Sequence, residues 1–585
     1  MSDQISSAEH AVLDFLDDLE SQASRAKEQS TADWDRCLQV SRGQDWPDRS
    51  RAPMWKVNLI GPTVQKEAAL LTEIKPSIRV VPRQSGLDAT AHILERTIDA
   101  GWEEYQVQQR LEDIALMLGH FGCGFGRLWW DRLADDGEGD IVFSAYDPRD
   151  VLINPNVRAS VDLPSAQDVT LFDTMPLWEL WKRYPGRGSL VEPMAPHHER
   201  QGATPTTLWS RAQSAMPTVF KQGASEIRDA IPMALVRTYQ FHDPTLNPDG
   251  SPRYPNGRFV VRGGERVILE DRPNPYWDGG WDVEMLDARP DPDHPWGTSR
   301  VDGLRRLQEA VNRIGDLFVR NRVTSGNIRV VASNHALDSD STQRLKALNA
   351  VLLTHRTGET VQVQMPENMP ADMLQFIDHS VKLMEYLTGM SDPTVDGRFE
   401  VRSGVQFEGL QAASQVPIRA QARRLESFLQ RIGQKWISRI FQFMTNDRLM
   451  SYVGPQNAFM AFSFERQLLM REIVTKAQEQ AVKEAQADGR PYDETVMPDL
   501  IEAQARKASK RFRFKIEPGS SLASTKIQRA MLFAQLAQNG LLPGEKVLEE
   551  LGFVDALALI EKAMQQRQIL GMTQQSGASS GRRRG

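Results

Sequence analysis

The sequence predicts an α+β fold that is mainly helical, and three observations predict it. Long segments carry apolar residues at helical spacing. Short β-branched runs and a turn-rich middle region lie between them. Hydrophobic residues at 40% beside 25% charged residues supply enough apolar matter for several cores and exclude a disordered chain.

Residues 5–30 read as an amphipathic helix, with Val12, Leu13, Phe15, Leu16 and Leu19 recurring among acids. The Gly/Asp/Pro-rich stretch 43–53 breaks it. A second helix over roughly 55–75 must end at Lys75-Pro76, because proline cannot continue it. Ser77–Pro82 is β-branched and reads as a strand. A long helix is predicted over 87–120, with Ile93, Leu94, Ile98, Trp102, Leu111, Ile114 and Leu118 on one side. Arg127–Trp130 and Ile141–Ala145 read as strands joined by the turn at Asp136-Gly137. Residues 195–225 lack periodicity and read as loop or weak helix. From 233 to 290, strands alternate with turns such as Pro255-Asn256-Gly257, the pattern of an antiparallel meander.

Beyond Thr298, a fair N-cap, the character turns helical: Val301, Leu304, Leu307, Val311, Ile314, Leu317 and Phe318 follow. Residues 326–368 read as strand (Ile328–Val331), helix (341–350) and strand (Val361–Val363). Met373–Leu387 is another amphipathic helix, and Ser391–Gly409 is a charged, glycine-rich loop. Ala412–Met444 reads as the longest helix of the chain. Helix over 464–510, a strand at Arg511–Ile516, helix over 522–570 and a polar disordered tail from Thr573 complete the pattern.

The 585 residues suggest about four domain-sized units. The net charge of −7 argues against bulk attraction to nucleic acid, which needs cations to neutralise phosphates. Two cysteines, Cys37 and Cys123, exclude a disulfide framework and a four-thiolate zinc site. The acidic Met1–Glu20 does not read as a signal peptide, and no apolar run is long enough to span a membrane. A soluble protein, cytosolic when made, is the expectation.

Motifs for chemistry are sparse. The run Gly119-His-Phe-Gly-Cys-Gly-Phe-Gly126 follows a helix and precedes a strand, the reverse of a phosphate loop, so it reads as a helix C-cap and turn. The dipeptide Gly-Lys never occurs, which excludes a P-loop motor. Gly577–Gly581 matches G-x-S-x-G, but in a polar tail it cannot form a strained elbow. Asp287, Asp291, Asp293 and His294 could hold a hard cation; the intervening prolines favour a solvated loop. Trp129-Trp130 could stack on bases, although packing is the simpler reading. In 411–439, six cations stand against one acid, Glu426: a DNA-facing strip, a face that pairs with a neighbouring chain, or a solvated face.

Four segments together resemble a bacteriophage portal protein, the head-to-tail connector, most closely those of short-tailed phages. They are Asn58-Leu59-Ile60 through Pro82; Leu111–Asp131 with Tyr146-Asp-Pro-Arg-Asp-Val-Leu-Ile-Asn-Pro155; Trp296–Asn312; and Gly389–Met444. The resemblance implies a homododecameric ring at one capsid vertex, through which double-stranded DNA is packaged, retained and ejected. It implies a virion component, present in the host cytoplasm during assembly, with no catalysis, no cofactor, no metal and no membrane. Implied partners are further copies of the chain, the packaging terminase, tail adaptor proteins and the major capsid protein.

Matched by element, residues 1–50 form an N-terminal helical arm and 51–297 the wing. A first stem helix covers 298–325, the clip 326–368, and a second stem helix 369–390. The tunnel loop is 391–410, the long wing helix with returning wing segments 411–520, a small helical crown 521–570, and a disordered tail 571–585. On that mapping Arg398 and Arg402 line the channel in the tunnel loop. Arg329, Arg344, Lys346 and Arg356 lie in the clip, facing terminase or adaptor. Arg419, Arg423, Arg424 and Arg431 on the long helix serve subunit pairing. Two other readings remain open: a metal-dependent DNA-processing enzyme built on the aspartates near 290, and another ring-forming virion adaptor.

Overall fold

The computed structural model describes residues 7–44, 55–73, 75–84, 86–194, 232–325, 329–333, 343, 351–355, 361–364, 372–388, 416–453, 459–488 and 497–516. The expected loop at 195–225, the helix at 341–350, the tunnel loop, the crown and the tail lie outside them, as do Arg344, Lys346, Arg356, Arg398 and Arg402.

Helix α1 (Ser7–Ser41) is longer than its expected span. Its buried residues Leu13, Leu16, Ala23, Lys27, Trp34, Cys37 and Val40 keep a three-to-four-residue period to the end. At 35 residues it exceeds α8 (Val416–Phe443, 28 residues), so the long cationic helix is not the longest. Helix α2 (Ile60–Thr72) starts later than the sequence suggests, because 55–59 are irregular and two of their amides bond to side chains of Gln308 and Asn312.

Strand β1 (Ile78–Pro82) precedes α3 (Asp88–Glu104) and α4 (Val107–Phe121). One expected helix is therefore two. Gln106 adopts φ 49°, a left-handed conformation that an α-helix cannot contain, and the chain restarts there. Helix α4 ends on Gly122 at φ 86°, as the C-cap reading requires; Gly124 and Gly126 instead lie within strand β2 (Cys123–Asp131).

Strand β2 is the centre of an antiparallel sheet, between β3 (Asp140–Tyr146) and β9 (Val283–Asp287). The meander is the second sheet: β4 (Val151–Ile153), β5 (Asp168–Pro176), β6 (Met233–Phe241), β7 (Arg258–Gly263) and β8 (Val267–Pro273), antiparallel and in chain order. Helix α5 (Leu177–Arg183) follows β5.

Helix α6 (Arg300–Ser325) and helix α7 (Asp372–Thr388) pack on each other. Between them in sequence lies a three-stranded sheet, β10 (Arg329–Ser333) flanked by β11 (Val351–His355) and β12 (Val361–Gln364). Strand β11 was not read from the sequence. After α8 comes the hairpin β13 (Arg448–Val453) and β14 (Phe459–Phe464), also unforeseen. Then α9 (Arg466–Asp488) and α10 (Met497–Ser509) replace one expected helical span. Strand β15 (Phe512–Ile516) returns to pair antiparallel with β1, Ile78 opposite Ile516.

The largest core gathers Trp102, Ile114, Phe143, Phe428, Trp436, Phe441, Phe464, Phe512 and Phe514 from six elements around α8. Two glycines let the large rings approach. A Cβ on Gly101 would sit 2.7 Å from the Trp436 ring, and one on Gly433 would collide with Phe514. A second core sets Trp34 of α1 edge-on to Trp296 at 5.4 Å, beside Phe121, Phe125 and Trp281. Trp130 stacks on Phe443 at 5.2 Å and so contributes packing, whereas the Trp129 ring lies under the Arg127 guanidinium at 4.9 Å.

Candidate functional site

The cationic helix α8 lies along β9, and the strand supplies the acids the helix lacks. Glu284 is 1% exposed and accepts from Arg431 Nε at 2.9 Å, with Lys435 Nζ at 2.7 Å. Arg431 also donates to the carbonyl of Met285, and Lys435 to those of Trp281 and Val283. Burial alone would push the Glu284 carboxyl up. Lys435 and Arg431 outweigh it and hold the group below the ordinary carboxylate range. One step along, Arg424 pairs with Asp287 at 2.5 Å. Further on, Arg439 donates to the Leu128 carbonyl and lies 3.9 Å from the Tyr276 ring centroid.

Arg424 and Arg431 thus have acids within their own chain. Of the four arginines assigned to subunit pairing, Arg419 and Arg423 carry that expectation. Arg423 is exposed, and Arg419 buries Nε and Nη2 with no hydrogen-bond partner among the described residues.

The aspartates near 290 do not converge. Asp287 is buried and engaged by Arg424 and by the Ser160 hydroxyl. Asp291 accepts from the backbone of Asp293 at 2.9 Å and lies 3.9 Å from His294. Among the described residues no three His, Cys, Asp or Glu side chains are grouped as a metal site needs. The donor set for the metal-dependent reading is therefore not assembled: its most buried member already holds an arginine.

Helices α6 and α7 share a buried seam made by Val301, Leu304 and Met384, with Ser380 and Thr388 also buried on α7. The flank of α7 beside that seam is apolar yet exposed: Phe376, Leu383 and Leu387 recur at i, i+7 and i+11, and Tyr386 is 67% exposed. Leu317 and Val323 of α6 are exposed as well. Helix α6 is also strapped by the segment before α2. Backbone amides of Val57 and Leu59 donate at 2.9 Å to Asn312 Oδ1 and Gln308 Oε1, and the Trp55 ring lies where a Cβ on Gly315 would be. Arg329 opens β10, the central strand of the intervening sheet.

Residues 325–539 match the family model described as phage P22-like portal protein. Over that stretch the chain is similar to the phage portal proteins. The matched segment begins at the last residue of α6 and takes in β10–β15 and α7–α10. No curated protein matches the chain. Portal proteins are structural components of the virion, and the P22-like match agrees with the short-tailed resemblance read from the sequence.

Reading the sequence alone missed the acid partners of α8, because Glu284 and Asp287 are distant in the chain and sit in an apolar strand. It also missed a basic ribbon formed by β1 and β15. The signal was present as the alternation Lys510-Arg-Phe-Arg-Phe-Lys515, although its partner strand lies more than 400 residues away.

Proposed function

We propose that this portal chain assembles into a ring of twelve copies whose central channel conducts DNA during packaging, retention and ejection. The observation that carries the ring is the exposed apolar stripe of α7 with Leu317 and Val323 of α6. Contiguous apolar surface at helical spacing calls for a helical partner, and a closed ring supplies one on each side of every subunit. The order helix, three-stranded sheet, helix supports reading α6 and α7 as stem helices and 326–368 as the clip between them. Residues 51–297 with parts of 411–520 then form the wing, 391–410 the tunnel loop and 521–570 the crown.

In this reading Arg398 and Arg402 line the narrow point of the channel, with Arg329, Arg344, Lys346 and Arg356 on the clip facing the packaging terminase and then a tail adaptor. Arg419 and Arg423 meet a neighbouring copy, and the wing meets the capsid protein. The portal transmits DNA that a separate packaging ATPase drives. Native mass spectrometry and electron microscopy of the purified full chain test the ring. The wild type forms a closed ring, and Leu383→Asp/Leu387→Asp shifts it to monomer. A wild-type chain that stays monomeric at high concentration overturns the proposal.

A further inference from the structure

Helix α1 is fastened to the rest of the chain at three places. Near its start, Leu13, Leu16 and Leu19 pack on Tyr239, Phe241, Val260 and Ile268 of the meander. There Asp17 pairs with Arg262, and Glu20 accepts from the Tyr239 hydroxyl. At its end, Cys37 and Val40 join Ile60, Val64, Val301 and Leu304 of α2 and α6. The middle joint differs, because it buries ionisable groups. Lys27 is 3% exposed, and its Nζ donates to the carbonyls of Arg149 at 2.7 Å and Val151 at 2.6 Å. It lies 5.5 Å from the ring centroids of both Trp34 and Trp296.

Across the joint, residues 147–150 supply two buried carboxylates, and one of them touches a cation. Asp147 accepts from Arg149 Nε at 3.1 Å and Nη2 at 3.0 Å, while Asp35 of α1 lies 3.4 Å from Nη1. Asp150, 9% exposed, has no side-chain hydrogen bond or ion-pair contact with any described residue. No described carboxylate is in ion-pair contact with Lys27. The other ionisable groups facing the two are Cys123 of β2, Tyr146 of β3 and Asp173 of β5. Burial pushes the Cys123 thiol and the Tyr146 phenol well up, so both stay neutral. Asp173 is held by Arg127 and Tyr146. One ammonium and one carboxylate are left, buried at the same joint without touching.

Burial without contact makes each charge costly and favours its neutral form. Burial pushes the Lys27 ammonium down to about 8. Burial, then Asp147, pushes the Asp150 carboxyl up to about 7. The two titrate together, and the direction is the same whichever of them holds the shared proton. When α1 lifts away, both groups meet water and return towards their ordinary values. Acid therefore protonates the closed joint before the open one, and alkali deprotonates the closed joint before the open one. Either change favours the closed form.

We infer that this joint is a poised release point for the middle of α1, held most weakly near neutral pH and tightened when either Lys27 or Asp150 loses its charge. A contact ion pair behaves in the opposite way, being strongest where both partners are charged. Because the apolar ends of α1 sit on the meander and on α2 and α6, the joint governs how firmly those parts are linked.

The inference goes beyond the ring and channel, and its test requires neither. Hydrogen exchange of residues 22–37 in the full-length protein is followed from pH 5.5 to 9.5 and corrected for the intrinsic rate of amide exchange. Protection is lowest between about pH 7 and 8 and rises roughly twentyfold towards either end of the range. Asp150→Asn is better protected than wild type at pH 7.5 and gains nothing on going to pH 5.5. Lys27→Gln, which keeps a donor for the two carbonyls, loses the rise on the alkaline side.

Protection that is level across the range in the wild type overturns the inference. So does protection that peaks between pH 7 and 8, which is the mark of a contact ion pair, or an acid-side rise that persists in Asp150→Asn. Ring formation is scored separately by native mass spectrometry, so failure of one reading is distinguishable from failure of the other.

Discussion

Glu284→Gln breaks the ion cluster that fastens α8 to β9 while keeping the side chain's shape. The wild-type carboxylate is 1% exposed and has two cations, Arg431 at 2.9 Å and Lys435 at 2.7 Å. In the variant both cations keep their carbonyl partners, so neither is orphaned. What is lost is the charge in two charge-assisted bonds, and the glutamine amide hydrogens now face an ammonium or a guanidinium. Each such bond is worth about 1.5–3 kcal/mol, and removing one partner of a buried pair costs about 3–5 kcal/mol, so we assign a loss of about 3 kcal/mol. The chain has several cores, and a single melting temperature would blur a local loss. Hydrogen exchange of 283–287 and 428–439 reads it directly: about 3 kcal/mol becomes roughly a hundredfold faster exchange there. Glu270→Gln is the contrast, because its partners Arg132 and Arg272 are 69% and 35% exposed and surface pairs contribute about 0–1 kcal/mol. Exchange of β9 and α8 within threefold of wild type would refute the reasoning.

Glu284 also predicts a pH response. Its folded value is depressed, so its contribution is present above the ordinary carboxylate range and is lost as pH falls through the folded value; exchange of β9 should accelerate on acidification in wild type but not in Glu284→Gln. Lys27→Met removes a buried ammonium that donates to the carbonyls of Arg149 and Val151, and limited proteolysis should then cut within α1 at least tenfold faster. Gly433→Ala forces a methyl against the Phe514 ring and should cost about 1–3 kcal/mol, read as faster exchange at β15. Lys515→Glu places an acid opposite Arg79 and should stabilise the ribbon by about 0.2–1 kcal/mol, read as slower exchange at β15.

What the sequence carried legibly was local. The α7 stripe, the meander and the Gly122 cap rest on periodicity and turn chemistry, which a segment contains within itself. What it hid depends on contacts between distant segments. Nothing near Gln106 marks a left-handed residue, so two helices read as one. The strands β11, β13 and β14 are short, and their pairing decides them more than their composition does. At the candidate site the contrast is sharper. The excess of cations on α8 was plain, but their role turned on Glu284 and Asp287, more than 130 residues away. Arg424 and Arg431, two of the four arginines assigned to subunit pairing, therefore have acids within their own chain, a division that could not be made before β9 was seen beneath them.

That division changes what the overall charge means. At −7 per chain, the proposed ring of twelve copies would be an acidic body, which disfavours adhesion of an anionic polymer at long range. Arg424, Arg431 and Lys435 add little outward attraction, because each is paired with a carboxylate. Net charge governs the far field, and at physiological salt that field fades beyond about 8 Å. Within that distance attraction is decided by which local cations lack an acid, and α8 shows how many of them a net charge can miscount.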